Sequence, residues 1–113
     1  MITNQEAFDK SLKHLRVQGV RAVDSRESCM YRIDGLKCAI GALIPDEKYD
    51  HDFEHMGASE PFIIKAFDGN FDKREFYRDL QESLHDSLDN DLFLIQLEQN
   101  AQNFAEQWNL NYA

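Results

Sequence analysis

Cys29-Met30-Tyr31-Arg32-Ile33-Asp34-Gly35-Leu36-Lys37-Cys38 is the stretch on which the fold turns. Asp-Gly between two alternating segments is the strongest short hairpin signal, because both residues tolerate positive φ. With Asp34-Gly35 as the turn, Ile33 faces Leu36 and Tyr31 faces Cys38. Cys29, Tyr31, Ile33, Leu36, Cys38 and Ile40 then share an apolar face, while Met30, Arg32 and Lys37 share the other. A hairpin of this kind needs a layer of helices beneath it.

The flanking sequence supplies those helices. Upstream, Thr3 and Glu6 make a capping-box signature, Phe8, Leu12 and Leu15 recur at helical spacing, and Gly19 is a stop signal. This predicts an amphipathic helix over residues 4–18, with residues 20–28 as a polar connector. Downstream, Ala39 to Ile44 could continue the strand, but reads better as a short buried helix beginning near Lys37 or Cys38 and ended by Pro45. Residues 46–57 are acidic and irregular. Ser59-Glu60-Pro61 resembles a helix start, with Asp68-Gly69-Asn70 as its stop, and a strand is the alternative for Phe62-Ile63-Ile64. Asp72 is expected to cap a helix bearing Phe76, Tyr77, Leu80 and Leu84. Asp89 or Asn90 is expected to cap a last helix bearing Phe93, Leu97, Ala101, Phe104 and Trp108. The predicted class is mainly α (α+β): three main amphipathic helices, one or two short ones and a single β-hairpin, in one globular domain over residues 1–113.

Composition agrees with a folded chain. The 113 residues are 42% hydrophobic and 12% aromatic, too apolar for disorder. The longest apolar runs, such as Leu92-Phe93-Leu94-Ile95, are far short of a membrane span. The start Met1-Ile2-Thr3-Asn4-Gln5-Glu6 has no basic or apolar signal region, and the two cysteines make no disulfide framework. The expectation is therefore a cytoplasmic protein with reduced thiols. Net charge is −9 and unevenly placed. Residues 1–40 hold seven basic and five acidic side chains, whereas residues 41–113 hold five and sixteen. Such a field repels nucleic acid and anionic membranes and attracts basic protein surfaces.

Candidate chemistry is sparse. Cys38-x12-His51-x3-His55 fits the second half of a zinc-finger pattern, but Cys29-x8-Cys38 is too widely spaced for the first. A small zinc module using Cys29, Cys38, His51 and His55 is the alternative reading. The plainer one has both cysteines in the core and both histidines on an acidic loop. Asp68-Gly69-Asn70-Phe71-Asp72 hints at a calcium loop but lacks the later glycine and glutamate, so a turn and helix cap is expected. His85-Asp86 is a lone pair at a helix end. No phosphate-cradling loop or nucleophile elbow is present, and Arg21, Arg26 and Arg32 are too few for a nucleic-acid site.

Tyr31-Arg32, Asp34-Gly35-Leu36-Lys37-Cys38-Ala39-Ile40-Gly41 and Leu43-Ile44-Pro45-Asp46-Glu47-Lys48-Tyr49 together resemble a block found in small phage and prophage proteins. Thr3-Asn4-Gln5-Glu6, and Leu80-Gln81 with His85-Asp86, are similar to the same group. The resemblance implies a phage or mobile-element setting, a host-cell cytoplasm and no particular catalysis. The functional expectation is a non-enzymatic acidic protein, without cofactor or metal, that binds and inhibits a host defence or nucleic-acid-binding protein. Its expected partner is a host or phage protein with a basic surface, contacted through Asp46, Glu47, Asp50, Asp52, Glu54, Asp86, Asp89 and Asp91. Neither direct nucleic-acid binding nor membrane contact is expected.

Overall fold

A computed structural model describes residues 2–113. Helix α1 spans Asn4–Gln18. Thr3 Oγ1 accepts from the Glu6 N–H, Glu6 returns a bond from the Thr3 N–H, and Gly19 closes the helix at φ +76°. Strands β1 (Arg32–Ile33) and β2 (Leu36–Lys37) form an antiparallel hairpin in which Ile33 opposes Leu36. Asp34 (φ +50°) and Gly35 (φ +82°) make the turn. Helices α2 (Pro61–Lys65), α3 (Arg74–Gln81) and α4 (Phe93–Gln107) come next along the chain. The mainly helical class, with three longer helices, a short one and one hairpin, is as the sequence predicts. Among the described residues no helix is long and apolar enough to cross a membrane.

Helices α1 and α4 run antiparallel. Gln5 bonds to Asn111, Phe8 stacks on Phe104 at 5.6 Å, and Arg16 grips Glu98 with two bonds of 2.6 and 2.7 Å. Phe76 of α3 packs on Phe104 and edge-on to Trp108. This aromatic cluster joins α1, α3 and α4.

Several local expectations are corrected. Residues 38–44 form a run of buried turns and not a helix. Ala42 N–H reaches Cys38 O and Leu43 N–H reaches Ile40 O, but the pattern does not propagate. The reason is a close approach: a Cβ on Gly41 would lie 2.1 Å from Tyr31 O, so the chain here is pressed against the hairpin backbone. The hairpin face is also shorter than the alternation suggests. Tyr31 and Cys38 are buried, but Ile33 and Leu36 at its tip are half-buried, and Cys29 is only partly covered. The connector of residues 20–28 is closed by an isolated bridge between Val23 and Cys29, around a turn bonded to Asp24. Asn70, not Asp72, caps the turn that leads into α3. Neither Asp89 nor Asn90 caps α4. Asp89 exchanges bonds with Gln96, and Asn90 accepts from the Arg21 N–H.

Asp68 lies just past α2 and turns inward. Its side chain is fully buried, accepts from the Tyr77 hydroxyl and lies 2.7 Å from Lys73 Nζ. It is a packing anchor, not a calcium ligand. Burial disfavours its ionised form, but the bonds from Lys73 and Tyr77 outweigh this and hold the carboxyl below the ordinary range. Its stabilising contribution is complete above the unfolded carboxyl pKa of about 4 and is lost as pH falls through the lower folded value.

Two outcomes are expected. Asp68→Asn costs about 3 kcal/mol at neutral pH and makes the acid-side loss of stability shallower, as read from urea unfolding across the acid range. Gly41→Ala costs at least about 2 kcal/mol, because backbone atoms must move to admit the methyl group, and the same unfolding experiment measures it.

Candidate functional site

Helix α3 does not end at Gln81. It passes into a π-helical turn, Glu82–Asp86, closed by Ser87 N–H and Oγ on Glu82 O at 3.1 and 2.8 Å. A π-turn inserts one residue and rotates the side chains beyond it, and such turns are frequent at functional sites. Here it directs His85 into the core and leaves Asp86 at the surface.

His85 is fully buried and both ring nitrogens are engaged. Nε2 accepts from the Ala22 N–H at 2.8 Å, which fixes the proton on Nδ1, and Nδ1–H donates to Asp86 Oδ1 at 2.8 Å. Gln81 Nε2 donates to the same carboxylate oxygen, and Gln81 Oε1 accepts from the Ile40 N–H at 2.9 Å. One chain of hydrogen bonds thus links the 20–28 connector, the π-turn and the buried 38–44 segment. A general base needs a free lone pair facing substrate. His85 has none, so this pair is a clamp between segments.

Cys29 Sγ, a His85 nitrogen and an Asp86 oxygen all lie within 4.8 Å of one another, the one metal-capable grouping among the described residues. Its hydrogen bonding argues against a metal. A neutral histidine that ligates through Nδ1 must carry its proton on Nε2, where the Ala22 N–H already points. Burial, reinforced by the charge of Asp86, pushes the Cys29 thiol up to about 11, so in this environment it is a poor nucleophile near neutral pH. The alternative zinc set of Cys29, Cys38, His51 and His55 does not assemble among the described residues. Cys38 is wholly buried, its sulfur accepts from the Gly41 N–H, and burial pushes its thiol up as well. His51 and His55 are exposed on a 3₁₀ turn.

Beside the clamp lies a cavity of about 340 Å³ between residues 54–58 and the surface of α3 and its π-turn. Glu54, Glu82 and Asp86 contribute carboxylates to its lining, and Arg78 contributes the one cation. Cys29, Met30, Tyr31 and Met56 form softer, less polar walls. Glu54 is held by the hairpin, accepting from the Tyr31 and Arg32 N–H groups at 2.8 and 3.1 Å and from the Tyr49 hydroxyl.

The eight acidic residues singled out from sequence therefore take different positions. Glu54 and Asp86, from separate runs, meet at this cavity. Asp46 pairs with Arg32 at 2.8 Å and lies 3.7 Å from Lys37, which hold its carboxyl below the ordinary range. Asp50 caps its own turn, while Glu47 and Asp52 are exposed beside it. Asp89 and Asp91 line a second cleft with Arg21 and Leu92. Glu82 and Arg78 escaped the sequence reading. The signal for them was the spacing 78, 82, 86, which puts three charges along one helical edge. Gln81 was missed too, although a glutamine on the stripe of Phe76, Tyr77, Leu80 and Leu84 calls for a buried partner.

No protein-family model matches the chain, and neither a curated protein nor a solved structure matches it.

His85→Leu removes the acceptor for the Ala22 N–H and the donor to Asp86. It is expected to cost about 2–3 kcal/mol in urea unfolding. Equimolar zinc is expected to leave the thermal midpoint of the unmutated protein unchanged.

Proposed function

We propose that this protein is a non-enzymatic interaction module that docks on a basic surface of a host or phage nucleic-acid-binding protein and inhibits it. The supporting observation is a combination at the start of α4. Leu92, Leu94 and Ile95 are 53%, 48% and 63% exposed, directly after the acidic residues Asp86, Asp89 and Asp91. Acidity alone would serve solubility. Three large apolar side chains on the surface do not, whereas an apolar centre with a charged rim is the anatomy of an interface. The Arg16–Glu98 and Arg21–Asn90 contacts bring exposed Val17 and Val20 to the same end of the molecule.

The charge supports the reading further. Of 21 acidic side chains, only Asp46, Asp68 and Glu98 pair with a lysine or arginine among the described residues. Most of the negative field therefore reaches solvent, where it steers a cationic partner and competes with nucleic acid for the same surface. The phage setting, and a defence protein as the target, rest on the likeness of residues 31–49 to the phage-protein block.

The immobilised protein is expected to retain a basic host protein from lysate at low salt and to release it as salt rises to physiological strength. Leu94→Ala with Ile95→Ala is expected to weaken capture by about 2 kcal/mol or more, and added DNA to compete with it. A capture that ignores both salt and the double substitution would sink the proposal.

A further inference from the structure

We infer that the cavity beside the π-turn receives an arginine side chain presented by the partner protein. This deepens the docking reading and rests on it for the partner's basic character. Four features of the cavity fit a guanidinium group. The first is charge. Glu54, Glu82 and Asp86 line it together with one cation, Arg78, so carboxylates outnumber cations there, and Arg78 forms no ion pair among the described residues. The second is the wall. Met30, Met56 and Tyr31 offer polarisable surface suited to a weakly hydrated, planar cation on an aliphatic stem, and less suited to a strongly hydrated ammonium. The third is rigidity. Glu54 is fixed by two hairpin N–H groups, and Asp86 is fixed by Gln81 and His85. Binding therefore orders little that is not already ordered. The fourth is size, because about 340 Å³ admits one long side chain but no folded segment.

The hydrogen-bonding capacity also fits. Asp86 Oδ1 is used by Gln81 and His85, and the Cys29 thiol lies beside the same carboxylate, which still has acceptor positions to spare on Oδ2. Glu82 makes no side-chain bond among the described residues, and it is exposed. Two carboxylate groups with open acceptor positions flank the cavity, and a guanidinium fork can donate to both. Arginine is also the charged residue most enriched at the centre of protein interfaces.

The test uses the whole protein with ¹³C-methyl-labelled methionine. N-acetyl-arginine amide is titrated in, with the neutral N-acetyl-citrulline amide as its isostere. The arginine amide should shift the Met30 and Met56 methyl signals with a Kd on the order of millimolar, and the citrulline amide should not. Glu82→Gln, which keeps the backbone carbonyl that closes the π-turn and changes only an exposed side chain without a bond among the described residues, should weaken arginine binding by about threefold to fivefold. Equal shifts from arginine and citrulline, no shift at either methionine, or unchanged affinity in Glu82→Gln would each overturn the assignment. The two readings fail separately. A salt-sensitive complex that depends on Leu94 and Ile95, with no arginine effect at the methionines, overturns the pocket alone. Arginine binding without any such complex overturns the docking surface alone.

Discussion

The backbone of residues 38–44 runs through the core without belonging to a helix or a sheet, and the rest of the fold is arranged to satisfy it. An unpaired buried N–H or C=O costs about 1–3 kcal/mol, so such a segment is tolerable only if side chains reach it. They come from three directions. Ser11 of α1 donates to Ala39 O at 2.8 Å, Gln81 of α3 accepts from the Ile40 N–H, and Arg32 of β1 donates to Ile44 O at 2.5 Å. Each bond also fixes the register of the element that supplies it. Gln18 adds a fourth tie, exchanging bonds with the backbone of Lys37 as a neighbouring strand would.

The candidate site grows out of that arrangement. Gln81 can satisfy Ile40 only if its amide end finds an acceptor, and Asp86 provides one because the π-turn swings it alongside. The same carboxylate orients His85, which holds the Ala22 N–H. On the other wall, Glu54 replaces strand partners for Tyr31 and Arg32, where the two-residue ladder runs out. The groups that could have done acid–base or metal chemistry are thus consumed in holding the chain.

Much of this was legible in the sequence, wherever a local rule acts alone. Thr3, Glu6 and Gly19 bound α1 because caps are local, and Asp34-Gly35 sets the hairpin because few other residues accept its dihedrals. Residues 38–44 misled because small apolar residues suit a buried helix and a buried turn equally. The deciding factor is contact between Gly41 and Tyr31, and no spacing reveals that. Asp72, Asp89 and Asn90 had cap chemistry, but Asp89 and Asn90 were claimed by tertiary partners and Asn70 took the place of Asp72. The convergence of Glu54 with Asp86 was not readable at all, since it depends on where the irregular 46–57 segment lands. The zinc spacing failed for the same reason in reverse, because Cys38 faces the core and the histidines face solvent.

The first turns of α4 show most clearly where the demands of the fold stop. The helix buries Phe93, Leu97, Ala101, Phe104 and Ala105 against α1 and α3, and these suffice to seat it. Leu94 and Ile95 lie off that face. Lysine or glutamate there would leave the packing intact, favour helix about as well, and keep the surface more soluble. Apolar residues at those positions carry a cost in solubility that nothing inside the molecule offsets. In the proposed docking that offset comes from a partner surface that covers them. On that proposal the adjacent aspartates restrict which surface it is, since their charge repels an anionic surface and attracts a cationic one.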